Sequence, residues 1–183
     1  MFRSLVVLAS LAFAACSSTG PAFERLANPP ALAAEQLEVR LTDERPSASS
    51  SLDVPVLSFL GSGESTMLPF ELGLQSSLEF TLRQNLVPAA RRLRVEVHVL
   101  EGVGGWSSDL FSESEKGSAR VSVSVFDSAA DHLLFTGTGE SWAKRSSGDA
   151  SRDGVIRTLG MAIQGAALEC LASEPARAAL GAP

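Results

Sequence analysis

Residues 92–100 constrain this chain more than any other stretch, because their side chains alternate without a break. Leu93, Val95, Val97 and Val99 are apolar, while Arg92, Arg94, Glu96 and His98 are polar. Successive side chains of a strand point to opposite faces, so the pattern predicts a strand with one face buried and one wet. Residues 118–126 repeat it, with Ala119, Val121, Val123 and Val125 inward and Arg120, Ser122 and Ser124 outward. Residues 37–42 alternate as well, and residues 133–144 follow a tight turn as a further strand. In that last strand Gly137 and Gly139 share a face with Leu133 and Phe135, and their missing side chains would admit a closely packed helix backbone.

Two helices complete the pattern. Pro69 suits a first helical turn, and Phe70, Leu74, Leu78, Leu82 and Leu86 recur every fourth residue as one apolar stripe, ending near Asn85 and Pro88. Residues 152–171 carry Val155, Leu159, Ala162, Ile163, Ala166 and Cys170 on one thin face, with Asp149 and Ser151 as candidate caps. The element order is β-α-β-β-β-α. Each strand has only one apolar face, so both helices must cover the same side. The expected fold is therefore α+β: a four-stranded, mostly antiparallel sheet with two helices packed on one face. Its first and second strands, joined through a helix, run parallel if they are neighbours. Residues 54–60 contain Pro55 and read as an edge or a connection. Residues 102–117 read as a Gly-rich connection. Gly61-Ser62-Gly63-Glu64-Ser65-Thr66 imitates a dinucleotide fingerprint, but Thr66 replaces its third glycine and no βα units follow, so it reads as a flexible loop leading into a helix.

Before the domain, Arg3 precedes an apolar run over residues 5–15 that ends Phe13-Ala14-Ala15 and meets Cys16. A charged start, a short apolar run and small residues make an export signal, and the run is too short to span a bilayer. Small residues directly before a cysteine resemble the lipobox of bacterial lipoproteins, which implies cleavage before Cys16 and acylation of that residue. The alternative is an ordinary secretory signal cut nearby, with Cys16 left free. The expected division is a signal at 1–15, a Ser-, Pro- and Ala-rich tether at 16–35, a domain at 36–173 and a loose tail at 174–183.

Charge and reactive side chains exclude several classes. Lys and Arg total 15 against 21 Asp and Glu, a formal charge of −6, which argues against nucleic acid or anionic membrane surfaces as general partners. With Cys16 committed, Cys170 has no disulfide partner and reads as a small buried hydrophobe. His98 and His132 lack ligand-like spacing, so neither metal nor cofactor is expected. No Gly-x-Ser-x-Gly elbow occurs. Trp106, Leu110 and Phe111 allow two readings, a partner-binding patch or a loop folded over the core edge, and the second is preferred. Glu113 and Glu115 beside them argue against insertion among anionic lipids. Arg94 and Arg120, with Lys144, make either a small anion-binding face or ordinary cross-strand ion pairs with Glu96 and Glu140, the second again preferred.

With the elements in order, the chain resembles the YajG-like lipoproteins of the Gram-negative outer membrane. The likeness rests on Val39-Arg40-Leu41-Thr42-Asp43-Glu44-Arg45-Pro46, similar to that family's early strand ending in an Asp-x-Arg segment. It rests also on the helix before Leu93-Arg94-Val95-Glu96-Val97 and the three-strand meander before a final helix. The layout is similar to that of the LPS-assembly lipoprotein LptE. The resemblance implies a non-enzymatic, lipid-anchored, periplasm-facing assembly factor with an outer-membrane or periplasmic protein partner. Cys16 is the one functional position it transfers. The rival expectations are an envelope hydrolase or a regulator of a peptidoglycan synthase. A partner, if one exists, should contact the Trp106–Phe111 stretch or the Arg94–Arg120 patch.

Overall fold

Three long strands carry the fold in the computed structural model, which describes residues 29–46, 52–53, 61–110, 112–147 and 150–181. In chain order the elements are β1 (Leu32–Ala33), β2 (Gln36–Asp43), β3 (Gly61–Ser65), α1 (Leu74–Arg83), β4 (Leu86–Val87), β5 (Arg92–Ser108), β6 (Glu113–Asp127), β7 (His132–Ser147), α2 (Arg152–Leu171) and α3 (Glu174–Leu180). The α+β class and the mostly antiparallel sheet are as expected, but the count differs. The main sheet has five strands in the order β2-β5-β6-β7, with β3 also on β5, and β1 pairs with β4 in a separate parallel ribbon. β2 runs parallel to β5, from Gln36 opposite Arg92 to Asp43 opposite Val99. β3 pairs antiparallel with the far end of β5, Gly61 opposite Ser108 and Ser65 opposite Gly104. The stretch expected as a loop into a helix is thus an edge strand, and α1 begins later, after Gly73 at φ 86°. Residues 54–60 and Asp149 lie outside the described residues.

The expected connection over 102–117 is mostly strand. β5 continues to Ser108 and β6 starts at Glu113. A bulge between Val99 and Glu101 shifts the phase of β5, so that Gly102, Gly104 and Trp106 follow Val99 onto the inner face. Close helix packing explains the glycines here. A Cβ on Gly117 would lie 2.6 Å from the Thr158 carbonyl oxygen and 2.7 Å from Leu159 Cα, and one on Gly139 would run into the Ala166 carbonyl. Helix α2 therefore rests directly on β6 and β7, while Val95, Val97, Val99, Val121, Val123 and Val125 fill the core beside it at 0 % exposure.

The start of α2 is held by carboxylates. Ser151 Oγ accepts from Gly154 N at 3.0 Å. Glu115 of β6 is fully buried; its Oε1 accepts from Ser151 N at 3.1 Å and its Oε2 from Arg145 Nε at 2.6 Å. Glu113 accepts from Ala150 N. Negative charge at the positive end of a helix is stabilising, and here it also ties α2 to the hairpin. At the other side of the sheet, Arg45 is almost buried. It donates to Asp43 at 2.8 and 2.7 Å and to the Leu68 carbonyl at 2.9 Å, and its guanidinium lies 4.5 Å over the Phe70 ring. The Asp43-Glu44-Arg45 segment thereby joins the end of β2 to the approach to α1.

The two ends of the domain are more ordered than expected. Leu32 and Ala34, placed in the tether, are buried beside β4. Residues 174–180, placed in the loose tail, form α3, capped by Ser173 and preset by Pro175, with Ala176 and Leu180 buried. Three helices, not two, cover the sheet.

Candidate interaction surface

All three helices sit on the inner side, so the outer face of the sheet is left open. Strand register places its residues in rows. Glu101, Arg120 and Glu140 lie across β5, β6 and β7; next come Val103, Ser118 and Trp142; then Gly105, Lys116 and Lys144, with Glu64 of β3 beyond Gly105. Two adjoining depressions of about 330 and 450 Å³ run over these rows and share Val103, Ser118 and Trp142. Gly105 and Ser118 carry little or no side chain, which makes the furrow, and Trp142 stands in it at 56 % exposure.

Trp142 was not singled out from sequence, although a signal existed. Gly137 and Gly139 face inward, so alternation puts position 142 on the open face. Beside it, Lys116 and Lys144 are directly opposite each other, and among the described residues neither makes an ion pair. Like charges facing across a strand pair are unfavourable unless something anionic meets them.

The residues named from sequence are placed differently. Trp106 is 5 % exposed; its Nε1 donates to the Asp53 carbonyl at 2.9 Å, and its ring fills the space beside Gly61 and Gly63. It packs at the core edge and also lines the depression that runs past Gly105 and Lys144. Leu110, by contrast, is exposed at the β5–β6 turn. Phe111 and Cys16 lie outside the described residues. Arg94 and Arg120 do not make one patch: Arg94 is opposite Phe126 and Arg120 opposite Glu101, roughly 20 Å apart along β6 at strand rise. Arg94 is paired with Glu96 at 2.9 Å and Asp131 at 2.8 Å and lies 4.6 Å over the Phe126 ring. The Asp131 hydrogen bond, foremost, raises its guanidinium further above its ordinary value. Arg120 faces Glu101 at 3.4 Å and Glu140 at 3.3 Å. Arg120 is paired across strands, whereas Arg94 is paired along its own strand and to the β6–β7 turn.

Other reactive groups are dispersed. His98 Nδ1 is 2.7 Å from Glu44 Oε1, at the end of β2 and away from the furrow linings. Among the described residues no three His, Cys, Asp or Glu side chains gather as metal ligands, and no single helix is long and apolar enough to cross a membrane. Cys170 is buried, and that burial pushes its thiol up to about 11.

No family model and no curated protein matches the chain. Among solved structures, the chain is similar to protein XCC0632 from Xanthomonas campestris, of the DUF330 family, at 11 % identity and TM-score 0.40, over 83 % of this chain and 85 % of that one. It is also similar to a protein described as a neuraminyllactose-binding hemagglutinin homolog from Helicobacter pylori, at 12 % identity and TM-score 0.30, over 74 % and 83 %. Neither is described as YajG-like or as LptE, and at these scores neither informs the site.

Proposed function

We propose that this chain is a non-enzymatic lipoprotein, anchored through acylated Cys16 on the periplasmic face of the outer membrane, which holds an envelope protein partner through the furrow around Trp142. The observation that carries the docking half is Trp142 itself: a large aromatic side chain, mostly exposed, in a furrow with two lysines that make no ion pair among the described residues. Exposed aromatics set in a concave surface are the usual anchors of protein interfaces. The anchoring half is supported by Arg3, the apolar run and Phe13-Ala14-Ala15-Cys16, and by Ser17, which resembles the signal that permits transfer to the outer membrane. Two or three acyl chains, at about 0.8 kcal/mol per buried methylene, hold a protein firmly. The YajG-like resemblance of the Asp43-Glu44-Arg45 segment and the layout shared with LptE support an assembly or maintenance role.

Two measurements test the reading. Cys16→Ala should move the protein from the membrane fraction to the soluble one and abolish palmitate labelling; continued sedimentation with label would end the lipoprotein reading. A photo-crosslinker at position 142 in intact cells should capture an envelope protein that one at position 80, on the back of α1, does not. Equal capture from both positions would remove the furrow from the proposal. The rival hydrolase reading has one observation in its favour, the His98–Glu44 contact at 2.7 Å. It requires that His98→Ala abolish a hydrolytic activity that Trp142→Ala leaves intact.

A further inference from the structure

The two edges of the main sheet are treated differently. On β2, the outward Leu41 N–H is met by the Gln75 side chain at 3.2 Å and the outward Leu37 carbonyl by Arg83 at 2.5 Å, so α1 closes that edge. β7 is twice as long; α3 packs against it, but among the described residues no backbone or side-chain group hydrogen-bonds to its outer edge. A long unpaired edge is a template for another strand. Its open-face residues, all exposed, are Thr138, Glu140, Trp142, Lys144 and Ser146.

About Trp142 that series is complementary to its own reverse: an acid lies two residues to one side and a base two residues to the other, with a small hydroxyl residue beyond each. We propose that β7 pairs antiparallel with β7 of a second copy of this chain, on a two-fold axis through Trp142. Trp142 then faces its own counterpart, Glu140 faces Lys144 of the other copy twice, and Thr138 faces Ser146. Charge selects this register. Centring the pair on Glu140 or on Lys144 puts identical charges opposite each other, which strand pairs disfavour. It also gives Lys144, which has only Lys116 opposite it within its own chain, an acidic neighbour. Glu140 has an oxygen to share, since only Oε1 is engaged by Arg120, at 3.3 Å. The furrow of each copy then continues into that of the other, with both Trp142 rings at the join. The pairing does not rest on the anchoring proposed above; it shares Trp142 and Lys144 with the docking surface, so it is read in the purified chain, where no envelope protein is present.

Cysteine trapping in the full chain tests it. Directly opposed residues of antiparallel strands have Cα atoms about 4.5 or 5.5 Å apart, within the range a disulfide accepts. Under mild oxidation the Trp142→Cys chain should form a linked dimer above the background of the unaltered chain, which carries the same Cys16 and the same buried Cys170. The double variant Thr138→Cys/Ser146→Cys should link as well, and Thr138→Cys alone should not. Adding Glu140→Lys to the double variant replaces two opposite-charge pairs with two like-charge pairs and should weaken dimerisation about tenfold; adding Lys144→Glu as well should restore it. An unlinked Trp142→Cys chain overturns the proposal. So does linking by Thr138→Cys alone as strong as by the pair, or a Glu140→Lys change without effect. Circular dichroism of each variant separates these outcomes from loss of fold.

Discussion

Removing Arg145 should destabilise the protein more than neutralising its partner Glu115, although both changes break the same 2.6 Å ion pair. The asymmetry follows from burial. Glu115 is wholly buried, whereas the Arg145 side chain is 37 % exposed. In Glu115→Gln the guanidinium can turn to water, and the amide oxygen can still accept from Ser151 N. The loss is then the difference between charged and neutral hydrogen bonds, about 1 kcal/mol, plus negative charge withdrawn from the start of α2, about 1 kcal/mol in a partly buried setting. The sum is about 2 kcal/mol. In Arg145→Ala the carboxylate stays buried with only the Ser151 N–H against it. Breaking a buried pair in that way costs about 3–5 kcal/mol, and the partial exposure of Arg145 argues for the lower end, about 3. The double variant should recover about 1–2 kcal/mol relative to the sum of the single changes. Urea unfolding, with midpoint and slope fitted for each variant, measures all three. An Arg145→Ala chain no less stable than Glu115→Gln, or single effects that simply add, would refute the assignment of Glu115 as a buried charge held by Arg145.

Gly117→Ala should cost about 2–3 kcal/mol, because the new methyl meets helix backbone at Thr158 and Leu159 and not a flexible side chain; thermal unfolding reads it, and a neutral effect would mean α2 is not seated on β6. Asp43 is held below its ordinary value of 3.8, chiefly by its side-chain hydrogen bond with Arg45. A lowered carboxyl stabilises the fold above its ordinary value and loses that contribution as pH falls through the lowered one, so Asp43→Asn should flatten the stability profile below about pH 4. With the Asp43 side chain 44 % exposed the difference should stay under about 1 kcal/mol, and matched urea midpoints from pH 5 to 2.5 would show it. With its thiol pushed up to about 11, Cys170 should be roughly one part in a thousand thiolate at pH 8; it should ignore a thiol reagent in the native protein and react fully in urea.

The alternating strands and the final helix were legible because each is specified locally. Residues 92–100 and 118–126 state their inner faces residue by residue, and α2 matches its expected bounds at Arg152–Leu171. Elements fixed by distant contacts were not legible. Gly61–Ser65 has the composition of a loop and becomes a strand because the far end of β5 offers it an edge and Trp106 covers its glycines. Residues 174–180 are rich in alanine and suggest a loose end, yet Ser173, Pro175 and the buried Leu180 start and dock a helix. The glycines at 102, 104 and 117 suggested a loop for the same reason. Small residues mark both turns and close packing, and only the position of α2 distinguishes them.

The two tryptophans show how a single backbone feature decides what a surface offers. Continuing the alternation of Val95, Val97 and Val99 places Glu101, Val103 and Gly105 inward and sends Trp106 out to solvent, where a partner-binding patch is reasonable. The bulge after Val99 adds one residue and reverses that assignment for the rest of the strand. It turns Trp106 to the core and Glu101 out to Arg120, whose charge it helps to neutralise. β7 has its own irregularity near its start, opposite Val125 and Phe126, but none between Phe135 and Ser147. Alternation therefore holds through Trp142, which stays on the open face. The same shift that turns Trp106 inward also brings Val103 and Gly105 to the outer face, and those two residues form the floor beside Trp142.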